Sequence, residues 1–126
     1  MTMFITGGTS SIGRVLIKKV SAKGTPMHVM VRQSSNRTIL EFPGVTFVEG
    51  DVTDLNAVRK GMEGCQSVTH LAAIVGHNVP EAEWWRVNRD GSRNVLQAAS
   101  DLHLDSAVQV SSLSVLGLHP TRRNCR

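Results

Sequence analysis

At 126 residues the chain falls below the roughly 150 residues typical of one domain, which leaves no room in it for a second catalytic or substrate-enclosing domain. Its 40% hydrophobic and 19% charged residues are ordinary for a globular protein and exclude a disordered one, and the net charge of +4 is no nucleic-acid signature. Three bases, Arg122, Arg123 and Arg126, stand in the last five residues without an acid, and without them 11 bases face 10 acids. The tyrosine count is zero, so no phenol is available as a general acid or base.

Cys65 and Cys125 are too few for a disulfide framework and lack the CxxC or histidine spacing of a zinc site, so no metal is expected. The N-terminus has neither a basic region nor a long apolar run, and nothing reaches the ~18 apolar residues of a membrane span. A cytoplasmic protein without membrane or nucleic-acid partners is the expectation.

In chain order, Met3 to Thr6 reads as a buried strand stopped by Gly7-Gly8. Ile12, Val15, Leu16 and Val20 recur at near-helical spacing and predict a helix closed by Gly24 and Pro26. Met27 to Val31 reads as a second strand, Ser34 to Pro43 as a polar connection and Val45 to Val48 as a third strand. Asp54 is placed to cap a short helix carrying Leu55, Val58 and Met62, and Ser67 to Ala73 contains a fourth strand. After a loop at 76–80, one long helix is predicted from about Glu81 to Leu102, with Trp84, Val87, Gly91, Val95, Ala98 and Leu102 along its stripe. Gly91 within that stripe is disfavoured in an isolated helix, which suggests a close helix-to-sheet approach. Ala107 to Ser111 reads as a fifth strand, and no period continues beyond Leu118.

Alternating strands and helices predict an α/β fold, a Rossmann-like doubly wound parallel sheet of five strands in the order 3-2-1-4-5, C-terminally incomplete because the usual sixth strand is missing. The strongest local signal is Thr6-Gly7-Gly8-Thr9-Ser10-Ser11-Ile12-Gly13, between the first strand and its helix. Glycine permits a tight turn and a close backbone approach, and the first helical amides would face an anion, as in a dinucleotide site. Gly8 to Gly13 also has the spacing of a P-loop, but Arg14 and Val15 stand where that motif needs Lys and Ser or Thr. Arg32 ends the second strand, and no acid occurs from Met27 to Leu40, so a ribose 2′-phosphate is favoured over a bare ribose hydroxyl; the alternative is a solvated Arg32.

These residues resemble the extended short-chain dehydrogenase/reductase family, which comprises NAD(P)-dependent epimerases, dehydratases and ketone reductases. The resemblance spans residues 2 to about 117. Besides the glycine turn it rests on Glu49-Gly50-Asp51-Val52-Thr53-Asp54, His70-Leu71-Ala72-Ala73, Asn88-Arg89-Asp90-Gly91-Ser92-Arg93-Asn94-Val95-Leu96 and Val110-Ser111-Ser112-Leu113-Ser114-Val115. Val31-Arg32 and Glu63-Gly64-Cys65 look closest to the dihydroflavonol-reductase-like and 3β-hydroxysteroid-dehydrogenase-like members.

The resemblance implies a cofactor site made by Gly7, Gly8, Ser10, Ser11, Ile12, Gly13, Arg32, Asp51, Val52, Leu71, Ala72, Ala73 and Asn88, with NADP favoured over NAD through Arg32. Gly7, Ser10 and Gly13 take the three turn-glycine places, and the middle one is a serine whose Cβ would crowd the pyrophosphate or shift the turn. Asp51 and Val52 match the pair that contacts adenine, capping being the alternative for Asp51; Leu71, Ala72 and Ala73 match the small residues beside the cofactor ribose and phosphate. Asn88 is either a satisfied structural amide or a cofactor ligand, and Trp84 and Trp85 are packing residues first.

Ser112 matches the active-site serine or threonine that hydrogen-bonds the reacting group, the alternative being a turn serine; no nucleophile elbow surrounds it. The family's Tyr-x-x-x-Lys pair is absent, because the chain has no tyrosine and its last lysine is Lys60. Residues 1–117 are therefore expected to be a partial NAD(P)-binding Rossmann domain followed by a basic irregular tail, 118–126. The expected function is the cofactor-binding portion of an extended oxidoreductase or epimerase, inactive alone and prone to self-association. A small-molecule substrate would belong only to a complete protein. The alternative is a non-enzymatic NAD(P)-binding sensor or accessory subunit.

Overall fold

The computed structural model describes residues 1–76 and 78–117; the predicted tail, with Cys125 and its three arginines, lies outside the described residues. Strands β1 (Met3–Thr6), β2 (Met27–Val31), β3 (Val45–Glu49), β4 (Ser67–His70) and β5 (Ser106–Gln109) form one parallel sheet in the order β3-β2-β1-β4-β5. The register aligns Phe4 with His28 and Val68, Val29 with Phe47, and Thr69 with Val108. This is the α/β architecture and strand order that the alternating sequence pattern predicts.

Helix α1 (Ser11–Ala22) covers one face, where Ile5, Ile17, Val20, Met27, Val29, Val31 and Leu40 form a buried cluster. Its apolar stripe is displaced from the expected one. Ile12 and Val15 are exposed, whereas Gly13, Ile17 and Val20 are buried and Leu16 is half-buried. The close seating of Gly13 under the turn fixes the rotation of the helix, so the tertiary contact overrides the local periodicity.

The other face is covered by α2 (Leu55–Met62) and α4 (Ser92–Asp101), which enclose Phe4, Met30, Val52, Val58, Met62, Val68, Val95 and Ala98. Asp54 caps α2 as expected, accepting from the Asn56 and Ala57 amides at 3.0 and 3.2 Å. The expected long helix runs unbroken from Glu81 to Asp101, as α3 (Glu81–Trp84), a π-helical stretch over Trp85–Gly91 that the sequence pattern did not show, and α4. Within the wide turn the Ser92 hydroxyl donates to the Asn88 carbonyl at 2.7 Å.

Gly91 does permit a close approach, but to the chain after β3 and not to the sheet itself, since a Cβ there would lie 2.7 Å from Val52 Cγ2. Asn94 Nδ2 donates to the Val52 carbonyl at 2.9 Å and fixes the same contact. Trp85 is not a packing residue: it is 51% exposed, with Arg89 over its ring at 5.2 Å. All four residues of β5 are exposed, although the strand hydrogen-bonds to β4 in register.

Candidate dinucleotide-binding cleft

A cleft of about 300 Å³ opens at the C-terminal ends of β1 to β4, spanning the point between β1 and β4 where the strand order reverses. Open parallel sheets bind ligands at such a point because the connections diverge there. The cleft is walled by the turn Gly7 to Ser10, by Arg32, Asp51 and Val52, and by Leu71 to Ile74.

The glycine turn is built for close approach. Gly7 has φ +71°, and a Cβ on it would lie 2.6 Å from the Ala72 amide nitrogen, so both conformation and space require glycine. A Cβ on Gly13 would collide with the Gly7 carbonyl oxygen. Ser10 needs no such freedom, because its φ of −67° is ordinary. Its hydroxyl donates to the Gly7 carbonyl at 2.8 Å and accepts from the Gly13 amide at 3.0 Å. Serine at the middle place therefore closes the turn and caps α1. The first amides of α1, on Ser11 and Ile12, have no acceptor within the helix and make its N-terminus suited to an anion.

Asp51 lies beyond β3 and uses Oδ1 to accept from the Thr53 amide and hydroxyl, both at 2.9 Å. Burial would raise its pKa, but those two bonds and the fields of Arg86 and Arg32 outweigh it and hold the carboxyl below its ordinary value. It is ionised at neutral pH and ready to accept a hydrogen bond in the cleft. Of the two roles weighed for it, capping α2 belongs to Asp54 instead. Val52 is mainly a core residue, 6% exposed, with one edge on the cleft.

The β4 end is set by a continuous hydrogen-bond chain. Ser92 gives its proton to the Asn88 carbonyl, so it accepts from His70 Nε2–H at 3.2 Å. His70 Nδ1 must then be the acceptor for the Thr6 hydroxyl at 2.6 Å, while Thr6 Oγ1 accepts from the Leu71 and Ala72 amides at 3.3 Å. Burial pushes the His70 pKa down to about 4, which keeps this neutral tautomer. Asn88 completes the chain by accepting from the Ile74 amide at 2.7 Å and donating to its carbonyl at 3.1 Å.

Asn88 is thus a satisfied amide that positions the Leu71 to Ile74 segment. It does not line the glycine-turn cleft but a neighbouring depression of about 520 Å³, with Trp84, Trp85 and Arg89. Ser112 is exposed and caps the short 3₁₀ turn Leu113–Leu116, accepting from the Ser114 amide at 3.3 Å and hydroxyl at 3.0 Å; the structure does not bring it to the cleft. Ser11, Ile12 and Gly13 follow Ser10 at the start of α1 and are not themselves on the cleft wall. Cys65 is a buried free thiol whose pKa burial raises to about 11, and among the described residues no group of acids, histidines and cysteines is placed to hold a metal.

Sequence reasoning missed Thr6, Thr9, Met30, Ser35, Gly50, Ile74, Glu83, Arg86 and Val87, all on the cleft wall. Met30 and Gly50 were findable as the C-terminal ends of β2 and β3. Glu83 and Arg86 arrive from a helix distant in sequence and carried only the signal of an i,i+3 charge pair.

Residues 3–125 match the NAD dependent epimerase/dehydratase family. The chain belongs to that family. It is 31% identical over 116 residues to a 4-hydroxy-2-methyl-3-oxo-4-farnesyl-3,4-dihydroquinoline-1-oxide ketoreductase of Stigmatella aurantiaca, covering 92% of this chain and 35% of the relative. It is also 31% identical to a putative dihydroflavonol 4-reductase of Synechocystis, covering 91% of this chain and 34% of that protein. The chain therefore spans about a third of the length of these relatives. Among solved structures, Pen from Bacillus thuringiensis superposes with a TM-score of 0.84 at 25% identity, covering 92% of this chain and 38% of that one. The Bordetella bronchiseptica enzyme WbmG, solved with NAD and UDP, gives 0.75 at 28% identity over 85% of this chain and 36% of its own. Among the described residues no helix is long and apolar enough to cross a membrane.

Proposed function

We propose that this chain is the dinucleotide-binding portion of a cytoplasmic extended oxidoreductase or epimerase acting on a hydroxyl or carbonyl group, and that it prefers NADP to NAD. The observation that carries this is the cleft at the strand-order reversal, whose floor is the Gly7 turn and whose far wall holds an ionised Asp51. The fit is steric and electrostatic: the turn admits no Cβ at Gly7, and the free amides at the start of α1 suit a pyrophosphate. Asp51 would accept from the adenine amine, and Leu71 to Ala73 would leave room for the ribose and phosphate. A bound nicotinamide dinucleotide supplies hydride exchange with the substrate. The Tyr-x-x-x-Lys pair implied by the family resemblance is not in this chain, so binding without turnover is the expected behaviour.

Arg32 is exposed at the end of β2, on the cleft wall, and among the described residues it forms no ion pair. An unpaired guanidinium there would receive a 2′-phosphate. Titration of the purified chain should show tighter binding of NADP than of NAD, and Arg32→Ala should weaken NADP about tenfold while sparing NAD. Absence of binding by either dinucleotide would overturn the assignment, and an unchanged NADP preference in the variant would overturn the role of Arg32. The zero tyrosine count equally suits a non-enzymatic NAD(P)-binding sensor or accessory subunit. Hydride transfer by the chain mixed with the reductase it serves, and lost with the Gly13→Val variant, would separate that accessory role from a lone binding module.

A further inference from the structure

Glu83 and Arg86 form a wall of the cleft that neither the glycine turn nor the ends of β2 and β3 explain. Arg86 donates to Glu83 through both Nε, at 2.9 Å, and Nη2, at 2.5 Å, a two-point grip that fixes the plane of the guanidinium. About half of the Arg86 side chain remains exposed, so the gripped guanidinium keeps open surface. An exposed i,i+3 ion pair contributes little to stability by itself, so its construction is not accounted for by folding.

Its neighbours define what that open surface meets. Val87, next in the chain, lines the same cleft, as do Val52 and Asp51 beyond β3. The Asp51 carboxylate lies within the electrostatic reach of Arg86, and Glu83 feels Asp51 in turn. The two arginines of this cleft differ in state: Arg32 has no acidic partner among the described residues, whereas Arg86 is already neutralised by Glu83. A neutralised, oriented, planar cation is poorly suited to capture an additional phosphate and well suited to lie against an aromatic ring.

We propose that Arg86, held flat by Glu83, is an adenine-stacking residue of the dinucleotide site, closing the adenine end of the cleft opposite Asp51 and Val52. It rests on the assignment of the cleft as a dinucleotide site and adds a division of labour. Arg86 serves every adenine nucleotide alike, and Arg32 distinguishes the phosphorylated ribose.

The test is titration of the 126-residue chain with NAD, NADP, ADP and nicotinamide mononucleotide. Trp84 and Trp85 supply a fluorescence signal close to Arg86, and calorimetry provides a second readout. Arg86→Ala should weaken NAD, NADP and ADP by a similar factor of about ten and leave the mononucleotide unchanged. Arg86→Lys should be as weak as Arg86→Ala, because it keeps the charge and loses the plane, and Glu83→Gln should fall between wild type and Arg86→Ala. Unchanged NAD and ADP affinities, restoration by lysine, or a loss confined to NADP would each overturn adenine stacking while leaving the dinucleotide site standing. Failure of the wild-type chain to bind any of the four would remove the site and the stacking together. Circular dichroism of the variants, which alter one exposed and one half-buried side chain, checks that the fold is retained.

Discussion

Strands β2 and β5 are short parallel strands of one sheet, and each is paired in register, yet their surroundings are opposite. In β2, Met27 and Val29 are fully buried and Met30 and Val31 nearly so, with strands on both edges and helical cover on both faces. In β5 every residue is exposed, and Val108 in it and Val110 just beyond it present 54% and 41% of their surface. Hydrogen bonding alone therefore makes a strand, while burial needs a second layer. The cleft lies on the well-packed side of this contrast, between β3 and β4, and inherits its rigidity from the two buried clusters beneath it.

The sharpest way to break the contrast is to empty the packed side. Phe4 on β1 is fully buried, with its ring beside Gly61 of α2, where an added Cβ would lie 3.0 Å from Phe4 Cε2. Phe4→Ala should remove about 3–5 kcal/mol of stability, read from the midpoint of urea unfolding. A loss below about 1 kcal/mol would mean that the β1 core is no better packed than the β5 edge.

Acid should act next, through the hydrogen-bond chain that crosses from β1 to α4. The unfolded His70 takes a proton near 6.5, whereas the folded residue resists until about 4. A proton on Nδ1 would face a Thr6 oxygen that already accepts two amides. Between those values the unfolded state binds more protons, so stability is full above pH 6.5 and declines by on the order of 3 kcal/mol as pH falls towards 4. Urea midpoints measured at intervals from pH 7.5 to 4 should follow that slope, and His70→Gln should flatten it. A wild-type midpoint that did not move would contradict the buried neutral tautomer.

The fold was legible because β1, β2 and β3 are short, mostly apolar runs, and because the order 3-2-1-4-5 follows from right-handed crossovers. The turn was legible because its glycines are clustered within eight residues directly after a strand, although the contact that demands glycine at position 7 comes from Leu71 and Ala72. Three features were not. The rotation of α1 depends on Gly13 meeting the Gly7 carbonyl, so Ile12 and Val15 face outward despite their spacing. The π-helical stretch over Trp85–Gly91 is fixed jointly by the Ser92 to Asn88 bond and the Gly91 contact with Val52, neither of which leaves a period in the sequence. Glu83 and Arg86 reach the cleft from a helix that Asn88 ties to Ile74 across a separation of 14 residues, a contact with no sequence period. Asn88 and Ser112, both picked out by motif, stand elsewhere, since a motif specifies a residue in a chain position and not the contacts that complete it.

The smallest stability effect is expected at β5, and it is the most discriminating. Val108 aligns with Thr69, and Thr69 with Ile5, so Val108 stands on the sheet face that α1 covers farther along. Exposed Ile12 and Val15 on α1 and Leu113, Val115 and Leu116 beyond β5 add to the uncovered apolar surface. Among the described residues β5 is an edge strand, and an edge with such surface is a template for association between chains. Replacing Val108 and Val110 by threonine keeps β-branched side chains suited to a strand while reducing that apolar surface. Each removes little packing, so the unfolding midpoint should change by no more than about 0.5 kcal/mol per site, while sedimentation velocity over a concentration series should show less self-association than wild type. A large loss of stability with no change in association would instead mean that this side of β5 is covered within a single chain, and the contrast with β2 would disappear.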